Sequence, residues 1–290
     1  MRSSRARSTG LGYALLTPSL FGVAVFLLLP VFVVCWLSLQ RWDLLGPIHY
    51  VGLDNWRSVL TDETFGNSLV VTAIFVAIVV PGQTALGLFA ASLLARQLPG
   101  SALFRTVYVL PWICAPLAIA VLWHWLLAPT DGAVNTLLGR RVEWLTDPGL
   151  ALPVVSAVTV WTNVGYVTLF FLAGLLAIPH QLHDAARLDG ATAGQRFRRI
   201  TLPLLRPTLF FVLVTGIISA AQVFDTVYAL TGGGPQHHTD LVAHRIYVEA
   251  FGAAAVGRAA VMALVLFAIL VTATVVQHLY FRRRISYDLA

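Results

Sequence analysis

The densest cluster of patterned polar residues is the stretch IPHQLHDAARLDGATAGQRFRRITLPLLRP at 178–207. Pro179 suits the start of a helix, where its missing N–H costs nothing, and residues 180–189 read as one short helix. Gly190 fits the position just past a helix end, where a left-handed backbone is common. Thr192 and Gln195 have the T-x-x-Q spacing of a capping box and start a second helix. Pro203 and Pro207 are expected to end it. Two short helices held at an angle are no catalytic constellation. They form a stiff protrusion suited to docking into a groove on a partner. Arg196, Arg198 and Arg199 serve that role, and equally suit a loop lying on anionic headgroups.

A second set is polar and sits among apolar residues. Asp225 is the one acid that falls inside an apolar block. A carboxylate within a membrane is costly and marks function by default, unless it lies close enough to the interface to be solvated. Asn163 and Tyr166 are three apart and share a helix face, as do Gln222 and Asp225. With Thr162 they offer the donors and acceptors that a hydroxyl-rich solute needs in a translocation path. The competing role is interhelical hydrogen bonding, a common use of polar residues in spans.

Other chemistries are excluded. All 19 basic residues are arginine, so the lysine of a phosphate-binding Walker A loop is missing. The chain therefore carries no nucleotide site of its own and is expected not to be an enzyme. No G-x-S-x-G elbow, H-E-x-x-H helix or paired carboxylates occur. Adjacent His237 and His238 do not share a helix face, and with His124 they form no metal-ligand set. Cys35 and Cys114 sit in apolar blocks as small packed hydrophobes.

These residues are positioned by membrane spans. Of 290 residues, 58% are hydrophobic and 11% charged, against about 25% charged in a soluble domain. About 20 apolar residues span the hydrocarbon core as a helix. Six blocks meet that length, near 11–39, 66–95, 103–128, 152–177, 207–230 and 259–281. The first is too long for a cleaved signal peptide and reads as an uncleaved span. The chain is thus expected to be an all-α membrane protein with about six transmembrane helices.

Thirteen of the 19 arginines fall on one side: Arg2, Arg5, Arg7, Arg96, Arg105, Arg187, Arg196, Arg198, Arg199, Arg206 and Arg282 to Arg284. Nine of the 13 acids fall on the other. The bias places both termini and the 178–207 loop in the cytoplasm. The net charge of +6 lies between apolar blocks, which fits a membrane surface and not a nucleic acid. Trp36, Trp42, Trp112, Trp123, Trp125, Trp144, Tyr280 and Phe281 lie near span ends and read mostly as interfacial anchors.

The loop resembles a known family. Permeases of binding-protein-dependent ABC importers carry EAA-x3-G-x9-I-x-LP, which stands here as Asp184, Ala185, Ala186, Gly190, Ile200, Leu202 and Pro203, with Asp for Glu at 184. GLDNWRSVL at 52–60, LPWICAPLAIAVLWHWLL at 110–127 with Asp131, Gly132 and Asn135 beyond it, and FDTVYALTGGGPQHHTD at 224–240 are similar to segments of the maltose and glycerol-3-phosphate class. The resemblance implies an ABC importer type I (maltose permease-like) fold, with residues 180–203 as a coupling helix pair that sits in a cleft of a cytoplasmic ATPase. It implies a bacterial inner-membrane subunit forming half of a translocation path for a carbohydrate, whether sugar, amino sugar or polyol derivative. Expected partners are a second homologous permease, a dimer of the ATPase holding ATP and Mg2+, an extracytoplasmic solute-binding protein and the bilayer. The expected division is a tail, first span and external segment at 1–65, a permease core at 66–281 that includes the coupling loop, and a tail at 282–290. The alternative is a secondary transporter or channel for a small polar solute. That class often shows inverted repeats and mid-membrane charges, neither of which is evident here.

Overall fold

The computed structural model describes residues 15–96 and 100–282. The expected tails, with Arg2, Arg5, Arg7, Arg283 and Arg284, lie outside them. In chain order, α1 (Leu15–Leu37) leads to a two-residue strand β1 (Gln40–Arg41), its antiparallel partner β2 (His49–Tyr50) and the short helix α2 (Asp54–Leu60). Then come α3 (Glu63–Leu94), α4 (Ser101–Ile113), α5 (Pro116–Leu126), α6 (Ala133–Leu138) and α7 (Ala151–Leu176). The pair α8 (His180–Leu188) and α9 (Ala193–Leu204) precedes α10 (Arg206–Ala221), α11 (Asp225–Leu230), α12 (Val242–Tyr247) and α13 (Val256–Arg282).

Four helices, α1, α3, α7 and α13, are long and apolar enough to cross a bilayer alone. Two bent pairs bring the number to as many as six where each pair is counted as one span. α4 and α5 meet at 95° across Cys114 and Ala115, where a single span over 103–128 was expected. The cause is Pro116, which holds the preceding Ala115 extended at ψ 125. α9 and α10 meet at 66° across Leu205.

The expected end at Pro203 is also corrected: the helix runs through it to Leu204. A π turn at Phe197–Thr201 comes just before, in which the Leu202 N–H donates to the Phe197 carbonyl. A wider turn moves the preceding carbonyls away from the proline ring, which would clash in a regular helix. α1 repeats the device, with a π turn at Ala24–Leu28 ahead of Pro30. The expected fifth span over 207–230 stops at Ala221 and restarts as α11 at Asp225.

The described chain divides into two compact groups. The first comprises residues up to Asp62 together with Ile246–Val265. Its organiser is Asn55, whose amide donates to the Ser38 carbonyl at 2.9 Å and the Gln40 carbonyl at 2.8 Å. The Val256 N–H donates to the Trp42 carbonyl at 3.1 Å. In the hairpin turn, N–H groups of Gly46 and Leu45 donate to Asp43 and hold its carboxyl below the usual range.

Arg258, in the first turn of α13, binds Asp62 at 2.6 Å, Ser58 Oγ at 2.7 Å and Glu249 at 2.5 Å. The Glu249 contact is a close ion pair and not a linear hydrogen bond. Arg258 is 30% exposed, Asp62 18% and Glu249 9%. Arg258→Met takes the cation from both acids in a poorly solvated place, at a cost of about 3 kcal/mol. The check is a lowered thermal midpoint of the purified protein in detergent. An unchanged midpoint would mean that the acids are adequately solvated without the arginine.

The second group comprises Glu63–Arg245 and the rest of α13. Its core is the packing of α3 on α7, with Val71, Phe75 and Val79 against Val155, Val158 and Val160. Gly82 faces Val160 and Gly87 faces Val167, so the two helices run parallel. A second cluster contains Val167, Phe171, Leu172, Ile178, Leu205 and Val212. It buries Ile178 and Leu205, the two roots of the α8–α9 loop, in one place.

Candidate functional site

The loop from Pro179 to Leu204 starts and ends in that second cluster, yet none of α8 is buried. Pro179 is the N-cap and the helix begins at His180. At the other end Gly190 has φ +73. Its N–H donates to the Arg187 carbonyl at 3.0 Å and the Ala191 N–H to the Ala186 carbonyl at 2.9 Å. This is a complete Schellman ending. The capping box forms as read: the Gln195 N–H donates to Thr192 Oγ1 at 3.3 Å and the Thr192 N–H to Gln195 Oε1 at 2.8 Å.

Arg196 reaches back to donate to the Ala191 carbonyl at 2.7 Å. The angle between α8 and α9 is thus fixed by five local hydrogen bonds. None of them depends on a neighbouring element.

The two helices present an unfinished surface. Leu188 is 90% exposed, with Leu182, Phe197 and Leu202 also exposed. Asp184 pairs with Arg187 at 3.1 Å, both 64% exposed, a surface pair worth well under 1 kcal/mol. Its oxygens therefore remain available to a partner. Ala185 is exposed and Ala186 half-buried beside it, while Ile200 is half-buried and Leu202 and Pro203 lie in α9. The protrusion has an apolar edge with arginines 187, 196, 198 and 199 around it.

The polar set separates into two places. On α7, Asn163 donates to its own helix at the Thr159 carbonyl (2.9 Å) and Thr162 to Val158 (2.9 Å). Tyr166 stacks on Trp112 at 4.7 Å, and its edge contact to Phe170 continues to Phe211. Gln222 is the C-cap of α10 and Asp225 the first residue of α11, both exposed. The helix is interrupted between them, so their shared-face spacing does not hold. Among the described residues no hydrogen bond joins the α7 pair to Gln222 or Asp225.

Three features were missed in the sequence. Trp112 has the position of an interfacial anchor in the sequence, and the broken third block instead brings it onto Tyr166. Trp144 donates to Asn135 at 2.8 Å, which in turn holds the Pro129 and Val142 carbonyls. Asp240, in the segment after α11, is 1% exposed. It contacts His244 at 2.8 Å, His237 at 3.4 Å and Arg245 at 3.5 Å. The i,i+4 spacing of Asp240 and His244 was the available signal. Among the described residues no three His, Cys, Asp or Glu side chains converge as metal ligands.

Residues 83–287 match the family described as binding-protein-dependent transport system inner membrane component. The chain belongs to that family. The chain is 34% identical over 282 residues to the sn-glycerol-3-phosphate transport system permease protein UgpA of Agrobacterium fabrum, covering 96% of each. It is 38% identical over 234 residues to the trehalose/maltose transport system permease protein MalF of Thermococcus litoralis, covering 79% of each. A chain of the bacterial alginate ABC transporter, solved in complex with an alginate pentasaccharide-bound periplasmic protein, superposes with a TM-score of 0.84. That match covers 97% of this chain and 96% of the other at 22% identity. The fold is therefore that of ABC importer permeases, and the match to the family extends over both polar sets and the α8–α9 loop.

Proposed function

We propose that this chain is one permease subunit of an ATP-driven importer for a carbohydrate or polyol derivative. Its relatives' named substrates, sn-glycerol-3-phosphate and trehalose/maltose, support that solute class. In this reading a second permease of similar fold completes the path. Two copies of a cytoplasmic ATPase supply the nucleotide site, with ATP and Mg2+, and an external binding protein delivers the solute. The termini and the α8–α9 loop face the cytoplasm, as the arginine bias requires.

The observation that carries the reading is the α8–α9 pair. It is rigid in itself, anchored in the core at both roots and apolar on an exposed edge. α9 joins α10 through one residue, Leu205, buried to 1%. A push on Asp184, Ala185, Ala186 or Gly190 therefore reaches α10 through Ile200, Leu202 and Pro203 without a flexible link. The stacked Trp112 and Tyr166, with Asn163 one turn away and Gln222 and Asp225 beyond the end of α10, supply polar and aromatic groups for a sugar path. Pyranose rings offer apolar faces to aromatic rings and hydroxyls to amides.

The test replaces exposed Cys35 and Cys114, places a cysteine at Leu188 and cross-links in native membranes. The expected product joins this chain to a P-loop ATPase, and uptake of the solute follows ATP. Uptake driven by an ion gradient, with no ATPase captured, would mean a secondary transporter.

A further inference from the structure

A long apolar groove of about 660 Å3 runs along the second group between α3, α4 and α7. Leu86, Phe89, Val107, Tyr108, Trp161 and Val164 line it, and all but Val164 are also exposed. The lining runs on α3 from Ile78 to Ala90, about 18 Å at 1.5 Å per residue. That is a little over half of the roughly 30 Å hydrocarbon core, close to the depth of one leaflet.

A charge stands past one end of the lining, which begins on α4 at Val107. Arg105 stands three residues before Tyr108 on α4, on the same face, and helix side chains lean toward the N-terminus, here away from the groove's midpoint. Its Nε–H is buried and meets no acceptor among the described residues. A buried guanidinium N–H without a partner is costly, and a bound anion would supply one. α3 and α7 run parallel and α4 returns from the end of α3. The Arg105 end therefore lies on the same side as the α8–α9 loop.

We propose that this groove holds one anionic phospholipid, with its phosphate on Arg105 and an acyl chain along Leu86, Phe89, Val107 and Trp161. A planar guanidinium pairs with a phosphate through two N–H groups, and an apolar slot one leaflet deep takes a chain. Basic sites between helices on the cytoplasmic side commonly bind such headgroups. Calling this leaflet cytoplasmic rests on the proposed orientation; the groove and its arginine do not.

The experiment is native mass spectrometry of the assembled transporter, released from vesicles of phosphatidylethanolamine and phosphatidylglycerol. The expected result is one phosphatidylglycerol per chain. R105Q should lower its occupancy at least tenfold and R105K should largely keep it. A157F, which fills the groove and leaves the arginine, should lower it as much as R105Q. Equal retention in wild type and variants, or equal retention of the zwitterionic lipid, overturns the proposal. So does a W161C cross-link to a second permease, which would put a protein helix in the groove. The readout needs neither ATP nor substrate, so failure of the importer reading would appear only in uptake.

Discussion

Gly190→Pro should abolish uptake, by at least a hundredfold, while the protein reaches the membrane in normal amount. Gly190 adopts φ +73, and proline holds φ near −65°. The substitution also removes the N–H that donates to the Arg187 carbonyl. Both hydrogen bonds of the Schellman ending go, and α8 loses its fixed angle to α9. The change is confined to the protrusion, because none of α8 is buried and a Cβ at this position meets nothing within 4 Å. The defect is therefore one of coupling.

Graded substitutions separate that cause from a general insult. Gly190→Ala keeps the N–H and pays only the left-handed conformation, about 1–2 kcal/mol, so uptake should fall severalfold. Gly190→Asn tolerates that conformation better and should lie between alanine and wild type. The measurement is ATP-dependent uptake beside membrane abundance and substrate-stimulated ATPase activity. Normal uptake by the proline variant would show that the angle of the pair does not transmit ATPase movement.

The parts of this molecule that were legible in sequence are those decided by local chemistry. The Pro179 start, the Gly190 ending and the Thr192–Gln195 box each rest on a few adjacent residues, and each forms. The apolar blocks located the helices long enough to span because span length is set by the bilayer, and four of the six form unbroken. What escaped was geometry set by proline context and by distant contacts. Pro111 and Pro116 in LPWICAP announced a break that block length concealed. Pro203 has the local signature of a stop, and a one-dimensional reading does not reveal that a π turn makes room for it. The Trp112–Tyr166 stack requires knowing that the third crossing is bent. The partners of Asp240 require a loop that folds back on itself. Gln222 and Asp225 look like neighbours on a helix only if the helix continues, and no glycine or proline marks its end at Ala221.

Gly165→Ala should be the most damaging methyl that can be added to the second group. A Cβ there would lie 1.9 Å from the Tyr108 carbonyl oxygen and 2.6 Å from its carbon. Both are backbone atoms, so no side chain can swing aside and α4 must move as a unit. Overpacking costs about 3 kcal/mol when the neighbour is rigid. Displacing α4 also pulls Trp112 from Tyr166, separating rings now 4.7 Å apart. The expected signs are a lowered thermal midpoint, a changed tryptophan emission and loss of uptake together. Gly66 in α3 is the control, because a Cβ there meets nothing within 4 Å. Gly66→Ala should be neutral or stabilising, since alanine favours a helix interior by up to about 1 kcal/mol. The contrast follows from the solvent: lipid tails are as apolar as leucine, so helices in a bilayer gain little from burying leucine against leucine. Close backbone approach is what remains to hold α4 on α7. A stable Gly165→Ala protein with the Trp112–Tyr166 stack intact would mean that this crossing is held by something other than that approach.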